Sequence, residues 1–560
     1  MSTRVSGAAI VSAAIASLIV LRLGGATWRW LPGTLTLAAA LIAVAVATRA
    51  AGRWRTWRPF ARRHAFALAL AGAVLLAFVA RVPGLNGELG HQPLDVDENR
   101  LATNVKQFFV KGDLNHDTVE HYPGAVFWMF SGASFIGYMH QLTSGAVVQP
   151  AHIPVDMFVR SARVANVFVG AAIVLLTGLI GRQVFNGAAG LLAAALVAIV
   201  PLSVDTSTVV RNDPGMVLAV VAAVCLALAA LEREDSRWMA AAGVLAGVAA
   251  GIKYSAVFAV APVLIAAAAR GTPARRVRRT LLALAGCAIA IAVTNHFVWA
   301  DFPNFLKQLA DQVSITGRGH WAATDDPAGF YVKILDRFGP GAPLLLLATA
   351  FAVFALAIGR ARHLVFVSFP LLYLWFMTHR PSQFPRWVFP MVPFVAIAGA
   401  GALDWLLRTA LARVRDRSPR WSRPAGVLAA VVAVAVLWPA LSAGAVSFSR
   451  RVTPPTHALA EAWLRRVPKG TVVLAGAQWL DLRSTDLVVR RVPDLGAALQ
   501  AGGPPIAQAN LVVVPEPDFA NPGLKSLILV RTFHAKTSFG GNLGYDYRIY
   551  AVPQTLAGLR

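Results

Sequence analysis

The sequence predicts an all-α polytopic membrane bundle of about thirteen transmembrane helices, followed by a small C-terminal α/β domain outside the cytoplasm. Three observations predict it. Of 560 residues, 57% are hydrophobic and 14% charged, with a mean hydropathy of +0.59, far too little charge for a soluble, disordered or coiled-coil chain. Apolar runs of spanning length recur up to residue 448, each near the roughly 17 to 25 residues a membrane helix needs. The basic residues, which give a formal net charge of +25, gather in alternate short loops, so the charge reads as topology before it reads as nucleic-acid binding.

In chain order the predicted spans fall near 7–23, 31–48, 64–80, 163–181, 188–204, 214–231, 280–299, 341–358, 364–378, 388–407 and 425–448. Between Trp238 and Ala269 a longer apolar stretch breaks at Gly251-Ile252-Lys253-Tyr254-Ser255 and reads as two short helices folded into a hairpin. With a cytoplasmic amino terminus, segments 49–63, 270–279, 359–363 and 408–423 lie inside and carry 19 basic residues against one acid, Asp416. Loops 81–160 and 300–340 lie outside with 9 basic and 13 acidic residues. Moving the count by one span would invert this division, which is the sense in which positive charge stays on the cytoplasmic side. The first span also fits a cleaved signal peptide, whose loss would leave the later orientations unchanged. Three units result: an extra amino-terminal hairpin and basic loop over 1–63, a catalytic-sized membrane module over 64–448, and the domain over 449–560. In that last unit alternation at 471–475, 487–490 and 511–514 marks strands, and helical spacing marks 456–466 and 494–500. Cys225 and Cys287 sit inside apolar runs and supply no disulfide framework. Neither an internal repeat nor a nucleotide-binding loop occurs.

Polar groups are costly in hydrocarbon, so their placement is informative. Ionisable side chains collect at the predicted outer ends of the spans: Asp205, Arg211 and Asp213, Lys253 at the hairpin tip, His296 and Asp301, then His379, Arg380 and Arg386. Ion-coupled transporters place such groups near the midplane on repeated broken helices; this pattern points to a site at the outer surface. In the first long loop Asp95, Asp97 and Glu98 precede Leu101, Val105, Phe108 and Phe109 at helical spacing, an amphipathic interfacial helix with acids at its start. Asp97 fits two roles there, an N-cap or a carboxylate that activates a hydroxyl. His116, Asp117, Glu120, His121 and Tyr122 follow, with no spacing that matches a dedicated metal motif. Arg211-Asn212-Asp213-Pro214 stands at a helix start, and Arg386, between Pro385 and Trp387, fits an interfacial anchor or an anion ligand.

In order along the chain, Asp97-Glu98, Tyr122-Pro123, Ser161-Ala-Arg163, Gly181-Arg182-Gln183-Val-Phe185, Arg211-Asn-Asp213, Gly251-Ile-Lys253 and Pro385-Arg386-Trp-Val-Phe-Pro390-Met-Val-Pro393 resemble the GT-C glycosyltransferases that use lipid-phosphate sugars. That group holds the protein O-mannosyltransferases and the aminoarabinose transferase of lipid A, and the resemblance covers about 64 to 407. It implies a GT-C-like bundle and transfer of a sugar from a polyprenyl phosphate to a glycolipid, polysaccharide or protein on the outer face of a bacterial inner membrane, with inversion. It further implies catalytic carboxylates at Asp97, Glu98 and Asp213, donor-phosphate contacts at Lys253, Arg386 and Arg211, and acceptor or sugar contacts at His121, Tyr122 and His320. No cofactor is expected; a divalent metal, were one used, would fall to Asp95, Asp97 and Asp213. Asn99-Arg100 departs from the small or aromatic residues usual after the acidic pair, and two spans precede the usual first helix. The rival classes are a lipid-linked saccharide translocator and an O-antigen ligase-like enzyme. The orientation is checked by fusing a reporter active only in the cytoplasm after Arg560: it should be silent, and strong activity would invert the site assignment.

Overall fold

The computed structural model describes residues 54–85, 96–112, 123–145, 149–233, 235–296, 299, 302–317, 326–380, 382–452, 456–476, 486–492, 494–501, 504–515, 520–533, 537–538, 541–542 and 547–553. The predicted spans at 7–23 and 31–48 lie outside them. Among the described residues the chain forms a helical bundle and, after it, a small mixed sheet. Helix α1 is Trp54–Arg81, α2 Val96–Lys111, α3 Ala125–Thr143, α4 Val155–Val184, α5 Gly187–Ile199, α6 Pro201–Thr206 and α7 Asp213–Arg233. Helix α8 is Ser236–Ile252, α9 Val260–Ala268, α10 Pro273–Thr294, α11 Phe302–Gly317, α12 Pro327–Phe338, α13 Ala342–Ile358, α14 Ala361–Thr378, α15 Val392–Arg417 and α16 Ser422–Val452.

Seven of the helical stretches are long and apolar enough to cross a membrane, and four shorter apolar helices, Gly187–Ile199, Ser236–Ile252, Tyr254–Ala268 and Ala342–Ile358, accompany them. Every predicted span from 64 onward corresponds to one of these. Their boundaries moved for identifiable reasons. The run 188–204 is broken at Pro201, which has no N–H to continue α5 and instead opens α6. Helix α10 begins earlier than its apolar run, because Pro273 follows Thr272, whose hydroxyl caps Arg275 N–H, and the arginine-rich turn continues as helix. The hairpin is present: α8 stops at Ile252, Lys253 is extended, and a 3₁₀ segment Tyr254–Ala259 leads back into α9.

Without a hydrophobic force between spans, helices in lipid associate through close packing of small residues. The α8–α10 contact is of this kind, since a side chain at Gly243 would run into the Ala283 carbonyl. The middle of the bundle is built around α7, which is buried along most of its length from Asp213 to Leu231. By alternation of direction, the C-terminal ends of α1, α8 and α10, the segment 207–212, the start of α7 and the 3₁₀ turn Pro385–Met391 come together at one end.

After α16 come α17 (Thr456–Leu464), β1 (Val472–Gly476), β2 (Val488–Val492), α18 (Leu495–Ala501), α19 (Pro504–Ala507), β3 (Leu511–Pro515), β4 (Ile528–Phe533), the short ladder of β5 (Thr537–Ser538) with β6 (Gly541–Asn542), and β7 (Tyr547–Ala551). The five-stranded sheet has the order β2-β1-β3-β7-β4, parallel across β2-β1-β3 and antiparallel across β3-β7-β4. Ala460 and Leu464 of α17 pack with Val473, Val513 and Ile549, while Leu495 and Leu499 of α18 pack with Leu474, Val512 and Tyr550. Alternate residues of the central strands therefore face two different helical layers. The three predicted strands are β1, β2 and β3; the antiparallel half was not foreseen.

Candidate active site

Helix α2 begins at Val96, so Asp97 and Glu98 both lie in its first turn, where acids complement the helix dipole. Neighbours in a helix point apart, and the two carboxylates have opposite fates. Asp97 keeps 17% side-chain exposure and its Oδ2 accepts from Arg386 Nη2 at 2.7 Å. Glu98 is fully buried: Arg163 Nε and Nη2 each donate to it at 2.8 Å, one to each carboxylate oxygen, and Oε1 also accepts Val210 N–H at 2.8 Å. Arg163 adds a bond to the Leu85 carbonyl at 3.1 Å. Glu98, expected among the catalytic acids, thus has a carboxylate enclosed by a guanidinium and a backbone amide. Arg163 was visible only as part of a span-entry motif, and its role as the bidentate partner could not be read from spacing.

Asp213 opens α7 and is 1% exposed. Lys253 Nζ, at the hairpin tip, donates to Asp213 Oδ1 at 2.7 Å, and Arg386 Nε stands 3.9 Å from Asp213 Oδ2. The buried Oδ2 accepts no hydrogen bond among the described residues. Lys253 and Arg386, expected to converge although far apart in sequence, are bridged by this one carboxylate. Both remain reachable, with side-chain exposures of 19% and 18%. The order Asp97–Arg386–Asp213–Lys253 is a chain of alternating charge at the end of the bundle.

Aromatic groups and backbone hold the two cations in place. Lys253 Nζ sits 5.7 Å from the centre of the Trp387 ring and Arg386 lies over Phe384. The Trp387 carbonyl accepts from the Tyr373 hydroxyl at 2.9 Å, which ties the 3₁₀ turn carrying Arg386 to α14. Behind it Tyr331 of α12 is fully buried, and burial pushes its phenol up, so it stays protonated. On the other side Asn166 Nδ2 donates to the carbonyls of Val209 and Arg211 at 2.7 and 3.1 Å, and Asn212 Nδ2 reaches the Ile252 carbonyl at 3.5 Å. Arg211 itself is 3% exposed, less accessible than Lys253 or Arg386. Asp95, His121, Tyr122 and His320 lie outside the described residues. Among the described residues no grouping of three metal-ligating side chains occurs, and Asp97 and Asp213 are each engaged by a cation.

Residues 158–299 match the family model described as dolichyl-phosphate-mannose-protein mannosyltransferase; that stretch includes Arg163, Arg211, Asp213 and Lys253, and stops short of Arg386. The sequence matches no curated protein. The oligosaccharyltransferase of Archaeoglobus fulgidus, in its apo form, is 13% identical, with 81% of this chain and 70% of that chain covered at a TM-score of 0.50. That likeness is one of fold. ArnT of Cupriavidus metallidurans in the apo state is 16% identical, covering 89% of this chain and 100% of that one at a TM-score of 0.47. The same ArnT bound to undecaprenyl phosphate gives 16% identity, coverages of 88% and 99%, and a TM-score of 0.45.

Removing one member of a buried ion pair strands the other, at a cost of about 3–5 kcal/mol. Arg163→Met should therefore lower stability on that scale, and the double variant Glu98→Gln/Arg163→Met should recover much of it. Thermal unfolding in detergent checks this, and equal stability of wild type and Arg163→Met would remove the bracket at Val210.

Proposed function

We propose that the protein is a membrane glycosyltransferase that moves a sugar from a polyprenyl phosphate to an acceptor hydroxyl on the outer face of a bacterial inner membrane, with inversion at the anomeric carbon. The observation that carries this reading is the alternating chain Asp97–Arg386–Asp213–Lys253. Two reachable cations and one reachable carboxylate stand together at one end of an apolar bundle. The family-model match over 158–299 supports the reaction class, and the division of basic residues among the sequence's loops supports reading this end as the outer one.

The chemistry follows from the charges. The acceptor oxygen attacks the anomeric carbon while Asp97 accepts its proton. The bond to the phosphate oxygen breaks, its electron pair leaves with the polyprenyl phosphate, and Lys253 and Arg386 meet the growing negative charge. The departing phosphate is a stabilised anion and needs no general acid. Arg386 donates to Asp97 in this structure, and a phosphate is an acceptor of the same forked geometry. A donor that draws Arg386 away from Asp97 frees that carboxylate for the incoming hydroxyl, so donor binding precedes activation of the acceptor. Asp213 holds Lys253 beside the same phosphate position. Lys253 and Arg386 suffice to neutralise a single phosphate, so we read the transfer as metal-independent, with Asp95, Asp97 and Asp213 as the ligands should a divalent ion take part. A translocator has less use for this arrangement, because the charged groups gather at an end of the bundle.

Two measurements test the reading. Asp97→Asn should keep the wild-type unfolding temperature and lose transfer from a panel of radiolabelled polyprenyl phosphate sugars; near-normal transfer would exclude the base. Binding of undecaprenyl phosphate to the purified protein should weaken by about 1.5–3 kcal/mol in Lys253→Met and in Arg386→Met, the scale of a hydrogen bond to a charged group. Unchanged affinity in both variants would leave the phosphate site unsupported.

A further inference from the structure

A second cluster of buried charge lies beside the site and takes no part in the chemistry above. Residues 201–213 are buried throughout, although eight of them are polar: Ser203, Asp205, Thr206, Ser207, Thr208, Arg211, Asn212 and Asp213. This segment delivers Val210 N–H to Glu98 and Asp213 to Lys253. Two arginines from opposite ends of the bundle's sequence grip it. Arg81, at the end of α1, donates to Ser207 Oγ at 2.7 Å, to Ser203 Oγ at 2.8 Å and to the Ala198 carbonyl at 3.0 Å. Room for it depends on Gly170, where a Cβ would stand 2.6 Å from Arg81 Nε and 2.8 Å from Ser207 Oγ. Arg451, in the last turn of α16, donates from Nε to Asp205 Oδ1 at 2.9 Å, pairs with the same oxygen through Nη2, and reaches Thr208 Oγ1 from Nη1 at 2.9 Å. Asp205 and Arg451 are 4% and 7% exposed.

We propose that Asp205 and Arg451 are positioning residues for the transferase site: through this buried pair the final helix, α16, fixes the register of segment 207–213 and with it Asp213. The inference rests on the glycosyltransferase reading above. Its physical basis is that segment 207–212 is irregular, so Asp213 is held by α7 on the core side and, on the other, by whatever brackets that segment. Those brackets are the Glu98–Arg163 pair at Val210, Asn166 at Val209 and Arg211, Arg81 at Ser203 and Ser207, and Arg451 at Asp205 and Thr208. The first three come from helices that already carry or adjoin the site. Arg451 comes from the helix that runs on toward the C-terminal unit, and it reaches this segment through both Asp205 and Thr208. A shift of about 1 Å in a positioned group can cost up to ~100-fold in rate.

The test removes both charges together, Asp205→Asn with Arg451→Gln, because a single change would leave one charge buried alone. In the full-length protein, hydrogen–deuterium exchange should quicken in the peptide covering 207–212 and stay unchanged in 472–476 of β1. With the radiolabelled donors kcat should fall about 10- to 100-fold, while the affinity for undecaprenyl phosphate changes less than threefold, since Lys253 and Arg386 are untouched. The reversed pair, Asp205→Arg with Arg451→Asp, should recover part of the protection at 207–212. Unchanged exchange at 207–212 with unchanged kcat would overturn the proposal, and so would faster exchange spread evenly over the bundle. The exchange arm needs no sugar donor. If the wild type transfers none of the sugars but 207–212 still loosens selectively, the transferase reading fails and the positioning of the segment stands.

Discussion

The structure depends on one constraint: an irregular stretch of backbone, 207–212, lies buried at the end of an apolar bundle and must find polar partners there. In lipid surroundings unpaired N–H and C=O groups cost several kcal/mol, and non-helical backbone survives only where protein encloses it. The partners are supplied by side chains from four helices. Glu98 of α2 takes Val210 N–H and Asn166 of α4 takes the carbonyls of Val209 and Arg211, while Arg81 of α1 and Arg451 of α16 donate to the side-chain hydroxyls of Ser207 and Thr208. Each of those side chains needs its own compensation. Glu98 is balanced by Arg163, and Arg451 by Asp205. The buried ion pairs are thus consequences of holding an irregular segment inside an apolar bundle.

A loop is required because a helix start fixes a carboxylate's direction. Asp213 leads α7, which is buried along most of its length, so its position is transmitted from the core on one side and from 207–212 on the other. With Asp213 set, Lys253 follows at 2.7 Å, and Arg386 is drawn between Asp213 and Asp97. Positioning therefore runs inward to outward, from fully buried pairs to half-exposed ones. The partly exposed members, Asp97, Arg386 and Lys253, are the ones a ligand can reach.

Much of this was legible in the sequence. Apolar length located every described span, because it depends on local composition. Gly251-Ile-Lys253 broke an apolar run where a hairpin does turn, and Lys253, Arg386 and Asp213 were singled out because ionisable groups at span ends have few reasons to be there. What stayed hidden was pairing. Arg163, Arg81 and Arg451 stand at or inside span ends like ordinary anchors, and nothing in local spacing joins residue 81 to 207 or 205 to 451. The split of roles between Asp97 and Glu98 was equally hidden, since adjacent acids look alike until the facing helix is known. The reading of Asp97 as an N-cap fails for a related reason: the helix starts at Val96, two residues before one capped by Asp97 would, and the side chain accepts from Arg386.

Burial now separates three carboxylates that the sequence could not rank. A proton acceptor must be reachable by its substrate and must be able to change partners within the catalytic cycle. Glu98 meets neither condition, because Arg163 and Val210 occupy its oxygens in a region without solvent. Asp213 is almost as buried and is committed to Lys253, so protonating it would strand a cation beside it. Asp97 alone of the three is partly exposed, and its described ion-pair partner is a guanidinium that a phosphate can compete for. Under the proposed transfer, the arginine that holds Asp97 is also the one that would meet the leaving phosphate. On that proposal base release is coupled to donor binding, which would limit proton abstraction to the moment when a sugar is in place to be attacked.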